Sequence, residues 1–349
     1  MFFASDNTSP VAPQVLAALE RANAGYAAGY GSDAVTQEVR AMIRDTLDAP
    51  QAAVHLVGTG TAANALSLAL FCPPWAAVYC HRVAHVEEDE CGAPEFYTGG
   101  AKLVLIDGDH ARMDPAALAD SIAFTARAGV HNVQRGMVTL TNATEAGTIY
   151  TPDEVAAIAD IARAHGLPVH MDGARFANAV ARLGCHPADL TWRAGVDVLS
   201  FGGTKNGLMG VEAVVIFNPE KAWEFELRRK RGGHLFSKHR YLAAQMQAYL
   251  ADGLWLQLAG QANAMADRLS AGIAALPQAR LVHPTQANAV FAAWPRDGHR
   301  RAQDAGAAYY LWPGNQTMEG PGDEQVAARL VASWCTTPDE VDSFLSLIG

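Results

Sequence analysis

Lys205 stands in a turn of small residues, Gly202-Gly203-Thr204-Lys205-Asn206-Gly207, directly after the short apolar run Val198-Leu199-Ser200-Phe201. A second apolar run, Pro168-Val169-His170-Met171, ends on Asp172-Gly173-Ala174-Arg175. A third, Val54-His55-Leu56-Val57, leads into Gly58-Thr59-Gly60-Thr61 and then a stretch of helix formers. A neutral lysine amine forms a Schiff base with a carbonyl compound. A carboxylate pairs with a protonated ring nitrogen. A Gly-Thr turn opening a helix offers backbone N–H groups to a phosphate. A phosphate cradle, a carboxylate and a lysine, each at the end of a strand, are the parts needed to hold pyridoxal phosphate.

Each part also has a purely structural reading. The Gly58–Thr61 turn can be a tight turn with a capping threonine. It lacks the lysine of a phosphate-binding Walker loop, and Asn64 falls near where a dinucleotide fold requires its third glycine. Asp172 can cap a helix that starts near Arg175, and Lys205 can be a surface lysine. The glycines around Lys205, at 202, 203, 207 and 210, weigh against the surface reading, because they let something bulky approach the chain.

These residues need a frame that brings strand ends together. Ala53–Val57, Ala76–Cys80, Leu103–Ile106, Met137–Leu140, Pro168–Met171, Val196–Phe201 and Val211–Phe217 read as strands. Between them lie helical stretches, one from Ala62 to Phe71 and one opened by the capping box Thr151-Pro152-Asp153-Glu154. Asp114-Pro115 opens a further helix, and a second capping box, Thr337-Pro338-Asp339-Glu340, precedes the last. Strands alternating with helices predict an α/β fold with a mostly parallel sheet covered on both faces. Beyond about residue 218 helices dominate, followed by strands near 288–293 and 326–332, which predicts a smaller α+β unit. The expected divisions are an N-terminal segment 1–35, a large α/β domain 36–250 and a small α+β domain 251–349.

The 349 residues carry a formal charge of −10, and half of them are hydrophobic. That balance disfavours nucleic acid, which is usually met by a basic stripe. The basic run Arg228–Arg231 reads as an exposed helix end, or else as an anion site. Five cysteines, none in a C-x-x-C pair, fit a reducing cytoplasm better than a disulfide scaffold. No signal-peptide pattern opens the chain, and no apolar run reaches the ~20 residues of a membrane span.

Taken in order, Ser5-Asp6-Asn7-Thr8, Tyr30-Gly31-Ser32-Asp33, Thr59-Gly60-Thr61, the His85 region, His170-Met171-Asp172-Gly173-Ala174-Arg175 and the Lys205 turn resemble the threonine aldolases. These form part of the β-eliminating branch of fold type I pyridoxal phosphate enzymes, and the stretch Thr139–Tyr150 is similar to their low-specificity bacterial subgroup. The resemblance spans nearly the whole chain and implies a seven-stranded large domain. It implies cleavage of L-threonine, L-allo-threonine and related β-hydroxy-α-amino acids, aryl analogues such as phenylserine included, to glycine and an aldehyde. Another lyase reaction on the same scaffold is the runner-up.

By the same resemblance, Lys205 holds the cofactor covalently, Asp172 binds the pyridine nitrogen, His85 stacks on the ring, and Thr59, Gly60 and Thr61 hold the phosphate. Arg175, Ser5 and Arg329 frame the substrate carboxylate, with Tyr30 nearby. Lys238 or Arg240 supplies a cation to the phosphate, across a subunit interface in a homodimer or a tetramer.

The chain departs from the family in three places: Ser32-Asp33 stands where an acidic pair is common, the Lys205 turn is Gly-Gly-Thr-Lys-Asn-Gly rather than the commoner Ser-Lys-Gly, and a histidine is missing. Many relatives carry a second histidine in the loop aligned with Asn142–Gly147, where this chain has Thr144 and Glu145. The candidates for the base are then His85, a water held by Glu145, or the cofactor phosphate. His81 and His85, four apart with Glu87 and Glu88 close by, also suggest a metal hydrolase, though no third ligand has a recognisable spacing.

Overall fold

A computed structural model of the chain describes residues 1–349 except 126 and 128. Seven strands form the main sheet: β1 (Ala53–Val57), β2 (Ala76–His81), β3 (Lys102–Ile106), β4 (Gln134–Thr141), β5 (Val169–Gly173), β6 (Val198–Gly202) and β7 (Glu212–Ile216). Their order is β1-β7-β6-β5-β4-β2-β3. The pairs β3–β2, β2–β4, β4–β5 and β5–β6 are parallel, as strands joined by helical crossovers must be. Strand β7 returns from β6 through the Lys205 turn alone, with no crossover helix. It therefore runs antiparallel to β6, and to β1 on its other side. The lysine turn is consequently the reversal at the carboxyl end of β6.

Strands β1, β2, β5, β6 and β7 are buried at every position, while β3, at the sheet edge, is partly exposed. Continuous burial without alternation is what a sheet covered on both faces requires. The covering helix Gly60–Phe71 is buried almost throughout, so its composition is alanine and leucine on every side. Both capping boxes form, with Thr151 and Thr337 accepting from the backbone of Glu154 and Glu340. Asp114 accepts from Ala117 N–H at 2.8 Å and starts the helix Pro115–Thr125.

A second, antiparallel sheet has the order β10-β11-β9-β8. Its strands are β8 (Arg280–Leu281), β9 (Ala289–Pro295), β10 (Tyr310–Leu311) and β11 (Gln325–Val331). The two-residue strands β8 and β10 carry too little pattern to be read from sequence. Trp294, Phe344, Tyr309 and Phe3 pack edge to face or tilted in the core beneath this sheet. Phe3 belongs to the opening segment, whose Phe2 also bridges to Ala308. The long helix Leu254–Ala274 packs on the helix Phe176–Leu183 and on the helix Pro338–Ile348, and so joins the two cores.

One sequence expectation fails here. The run Arg228–Arg231 ends the helix Ala222–Arg231, but Arg229 is fully buried rather than exposed. Its guanidinium donates to Leu56 O at 2.9 Å and to Glu226 at 2.7 Å. It fastens this helix to β1. No helix among the described residues is long and apolar enough to cross a membrane.

Candidate active site

The registers Thr141↔Asp172 and Asp172↔Ser200 line up the carboxyl ends of β4, β5 and β6. In open α/β sheets that edge is where ligands bind. A cavity of about 250 Å³ opens there, lined by Gly58–Thr61, Asn64, His85, Thr141, Glu145, Asp172, Arg175 and Lys205, with Glu212 at its base. With Asn7, residues from seven separate stretches of chain thus converge on one hollow.

Lys205 makes no hydrogen bond or ion pair to any described residue. Burial lowers its pKa, and the positive charge of Arg175 lowers it further, so the neutral amine is favoured. Behind the turn, Glu212 of β7 accepts from Gly203 N–H at 2.6 Å. Burial pushes Glu212 up. The glycines before Lys205 do not make room for a ligand, as the sequence suggested. A Cβ on Gly202 would lie 2.4 Å from Ala174 O, and one on Gly203 would lie 2.4 Å from Leu208 Cδ1. They let the lysine turn close against the protein itself. The open positions are Gly58 and Gly60, where an added Cβ meets nothing within 4 Å.

Thr59 caps the helix Gly60–Phe71, its hydroxyl accepting from Ala62 N–H at 3.2 Å. The unpaired amides of that first turn and the helix dipole face the cavity, a setting that suits an anion.

Asp172 is 3 % exposed. Its Oδ1 accepts from Ala174 N–H at 3.0 Å and its Oδ2 from Asn64 Nδ2 at 2.8 Å. The other proton of Asn64 Nδ2 goes to Glu90 Oε1 at 2.9 Å. His85 Nδ1 also lies 2.9 Å from Glu90 Oε1. The bond to Glu90 raises the His85 pKa against the opposing effect of burial. Burial raises Glu90 in turn. Asn64 thus holds two carboxylates apart by a bond to each. His85, Glu90 and Asp172 place ligand-type atoms within 4.8 Å of one another. His81 does not join them. Its Nδ1 accepts from Val83 N–H and its Nε2 bonds Gly108 O, so both ring nitrogens are committed to backbone.

Arg175 is held from behind. Its Nε and Nη2 donate to the two oxygens of Asp6 at 2.7 and 2.9 Å. Burial pushes Asp6 up, but Arg175 and Lys205 outweigh that and hold it below the usual carboxylate range. Glu145 contributes from the loop after β4. Its Oε1 accepts from His85 N–H at 2.8 Å, while its Oε2 is buried with no well-formed hydrogen bond.

The remaining expected residues do not line this cavity. Ser5 caps a short turn, accepting from Asn7 N–H at 3.2 Å, and it is Asn7 that reaches the wall. Arg329 donates to Ala4 O at 3.3 Å, lies 5.5 and 5.6 Å from the Tyr310 and Trp312 rings, and leaves its Nε buried and unbonded. Tyr30 is 53 % exposed and receives Lys230 over its ring. Its backbone N–H donates to Ser237 O, which brings it beside Lys238, also exposed. Arg240 donates to Gly25 O and to the Tyr241 hydroxyl.

Sequence reasoning assigned no role to Asp6, Asn64, Glu90 or Glu212. Asp6 lay within a quoted motif, and Asn64 stood out only as a missing glycine. Glu90 and Glu212 belonged to no motif, although their partners His85 and Gly203 lie only 5 and 9 residues away.

Residues 3–294 match the family described as Beta-eliminating lyase. The chain is 41% identical over 334 residues to the low specificity L-threonine aldolase of Pseudomonas sp. (strain NCIMB 10558), covering 96% of this chain and 93% of that one. It is 42% identical over 339 residues to the enzyme of the same name from Pseudomonas aeruginosa, covering 97% and 94%. The solved threonine aldolase of Leishmania major superposes with a TM-score of 0.91 at 28% identity, over 99% of this chain and 98% of that one. A fold with Lys205, Asp172 and a phosphate-type turn at one sheet edge, and relatives alike over their full length, lead to one assignment: the chain belongs to the threonine aldolases of the Beta-eliminating lyase family.

Proposed function

We propose that this protein cleaves L-threonine, L-allo-threonine and related β-hydroxy-α-amino acids to glycine and an aldehyde, with pyridoxal phosphate as cofactor. The observation that carries the reading is the cavity in which an unpaired lysine amine, a buried aspartate and an open Gly-Thr helix start face one another. The residues fit the cofactor. Lys205 is available as a nucleophile, and Gly58 and Gly60 leave space over the helix amides for a phosphate. Asp172 is oriented by Asn64 and by Ala174 N–H.

Pyridoxal phosphate, when bound, supplies an electron sink for negative charge at the substrate Cα. The side chains divide the remaining work. The Lys205 amine, kept neutral by burial and by Arg175, would hold the cofactor covalently. Asp172 would pair with its ring nitrogen and favour the protonated form. His85, anchored through Nδ1 to Glu90, would pack on the ring. Thr59, Gly60 and Thr61 would hold the phosphate. Arg175 and Arg329 fix the substrate carboxylate through charge-assisted bonds, the strong kind. Asp6 sets the direction of the Arg175 fork. Ser5 and Tyr30 are supporting residues around the entrance, Tyr30 from a neighbouring subunit together with Lys238 or Arg240. The assembly is a homodimer at least. Its five cysteines are free, which supports a reducing cytoplasm as its compartment.

Incubation of the purified yellow protein with L-threonine tests the reading. Glycine and acetaldehyde in equal amounts are expected, and a panel including L-allo-threonine and phenylserine ranks the side chains. Release of ammonia without glycine would instead assign a β-elimination on the same scaffold.

A further inference from the structure

Cleavage of a β-hydroxy amino acid requires a group that takes the hydroxyl proton, and the cavity limits the choice. Arginines cannot accept a proton, and Lys205 is committed to the cofactor. Asp172 has both oxygens bonded, to Asn64 and to Ala174 N–H. Glu212 is engaged with the Gly203 amide behind the lysine turn. Glu90 is buried, bonded to His85 Nδ1, and is not on the cavity wall. His85 is held at Nδ1 by that carboxylate, and an imidazole paired in this way favours the protonated, donating form.

Glu90 Oε2 is buried without a partner, but among the described carboxylates only Glu145 brings such an oxygen to the cavity. It lies on the cavity wall. Oε1 is fixed by the His85 amide at 2.8 Å, so the carboxylate plane is set by the backbone. Oε2 is buried and makes no well-formed hydrogen bond to a described residue, the Thr141 hydroxyl and the residue's own amide interacting with the carboxylate only weakly. An under-bonded oxygen on a fixed, buried carboxylate is costly to maintain unless a ligand completes it.

We propose that Glu145 Oε2 is the proton acceptor for the substrate β-hydroxyl. The inference rests on the aldolase reading and names its base. As the O–H bond breaks, its proton passes to Oε2 and its electron pair becomes the second C–O bond of the aldehyde. The Cα–Cβ pair stays on Cα, where bound pyridoxal phosphate would supply the electron sink. One proton leaves oxygen and one is taken up at Cα to give glycine, so no further reactant is needed.

The electrostatics agree. Burial, then the negative charge of Asp172, push the Glu145 carboxyl up to about 7, while the His85 amide, its own amide and the Thr141 hydroxyl act in the opposite sense. Arg175, Cys80 and Tyr150 also feel its charge, and His85 and Lys205 share its cavity. A base with a pKa near the working pH can both take and release a proton.

Two measurements test the proposal. Infrared difference spectra of the cofactor-free protein between pH 5 and 9 should show a carboxylic acid band that titrates near pH 7 and is absent from Glu145→Gln. In the holoenzyme, Glu145→Gln should cut threonine cleavage by about 10²-fold or more. It should also abolish the fall in kcat/KM below about pH 7 seen for the wild type. Exchange of the glycine α-proton, which needs no hydroxyl deprotonation, should stay within a few-fold, and so should cofactor affinity. Glu145→Asp should keep the pH limb and recover part of the rate, which also covers the case in which the Gln variant does not fold. Cleavage by Glu145→Gln at near the wild-type rate with the same pH profile overturns the proposal, as does an infrared band unchanged by the substitution. A wild-type protein that does not cleave any β-hydroxy amino acid overturns the aldolase reading instead, and the infrared titration separates the two failures.

Discussion

Arg175 closes a two-point ion pair on Asp6, with the two N–O distances at 2.7 and 2.9 Å and the aspartate 1 % exposed. The two residues lie 169 apart in the chain, one before any strand and one after the central strand β5. Asp6 also accepts from Asn288 Nδ2 at 3.0 Å. The pair therefore ties the opening segment to both sheets. Removing one partner of a buried pair costs about 3–5 kcal/mol, and losing Asp6 costs less than that because Arg175 keeps 20 % of its side chain exposed. Asp6→Ala should lower the urea midpoint accordingly, and adding Arg175→Met should recover much of the loss. A loss under about 0.5 kcal/mol for the single variant would show that the pair is not structural.

Arg329 is the freer cation. It has one bond, to Ala4 O, and an unbonded buried Nε. Burial, then the charge of Arg175, lower its pKa, as expected of a guanidinium awaiting an anion. Arg329→Leu should cost about 1.5–3 kcal/mol of substrate binding, roughly 10- to 150-fold in kcat/KM. Arg329→Lys should restore only part, since an ammonium cannot reproduce a planar fork. Glycine affinity unchanged in the Leu variant would assign the carboxylate to another group.

The main sheet was legible because buried parallel strands are short apolar runs with helices between them, and the capping boxes at Thr151 and Thr337 marked helix starts directly. Lys205, Asp172 and the Gly58–Thr61 turn were legible because each ends such a strand. What could not be read was pairing across the chain. Asn64 meets Asp172 across 108 residues, and Asp6 meets Arg175 across 169. Nothing in local pattern encodes those distances. Gly202 misled for the same reason, since what fills its Cβ space is Ala174, a neighbour only after folding.

Acid should unfold the protein through a cluster remote from the cavity. Glu226 bonds His55 at 2.9 Å and Arg229 at 2.7 Å. Burial opposes its ionisation, but those partners lower its pKa from 4.5 to about 2. The stability this gives is present above pH 4.5 and is lost as pH falls toward 2, and a shift of that size is worth about 3 kcal/mol. Burial lowers His55 below its ordinary 6.5, so protonating it also disfavours the folded state as pH falls. Both effects have one sign. Glu226→Gln should be less stable than wild type at pH 7, with the two stability curves converging as pH approaches 2. Parallel curves across that range would place the acid sensitivity elsewhere.

Asp172→Asn should separate cofactor binding from turnover. The amide keeps the shape and one acceptor but removes the charge that keeps a ring nitrogen protonated. A rate loss of about 10²-fold or more is expected, with cofactor still bound. Lys205→Ala should fold with an unchanged far-ultraviolet spectrum, lose the cofactor's borohydride-fixable attachment, and show no turnover. Full activity in either variant removes that residue from the site.

The last prediction concerns assembly. Tyr30 and Lys238 lie side by side on the surface, tied by the Tyr30 N–H to Ser237 O bond, yet neither reaches this chain's own cavity. A second cleft of about 620 Å³, lined by Leu19, Met209, Phe236 and Tyr241, includes Gly58, which also lines the first. Met209 is 57 % exposed and Phe236 49 %. An apolar cleft that opens on the phosphate turn is where a neighbouring subunit's cation would enter, and interfaces of that kind are apolar at their centre. Sedimentation across a dilution series should give a dimer or tetramer, more resistant to dilution with cofactor than without, because a ligand that spans two chains stabilises the assembly by mass action. Lys238→Ala should weaken cofactor affinity by roughly 10-fold, the worth of one bond to a charged group, without changing the far-ultraviolet spectrum. A monomer that binds cofactor with wild-type affinity at assay concentration would sink the shared-site arrangement.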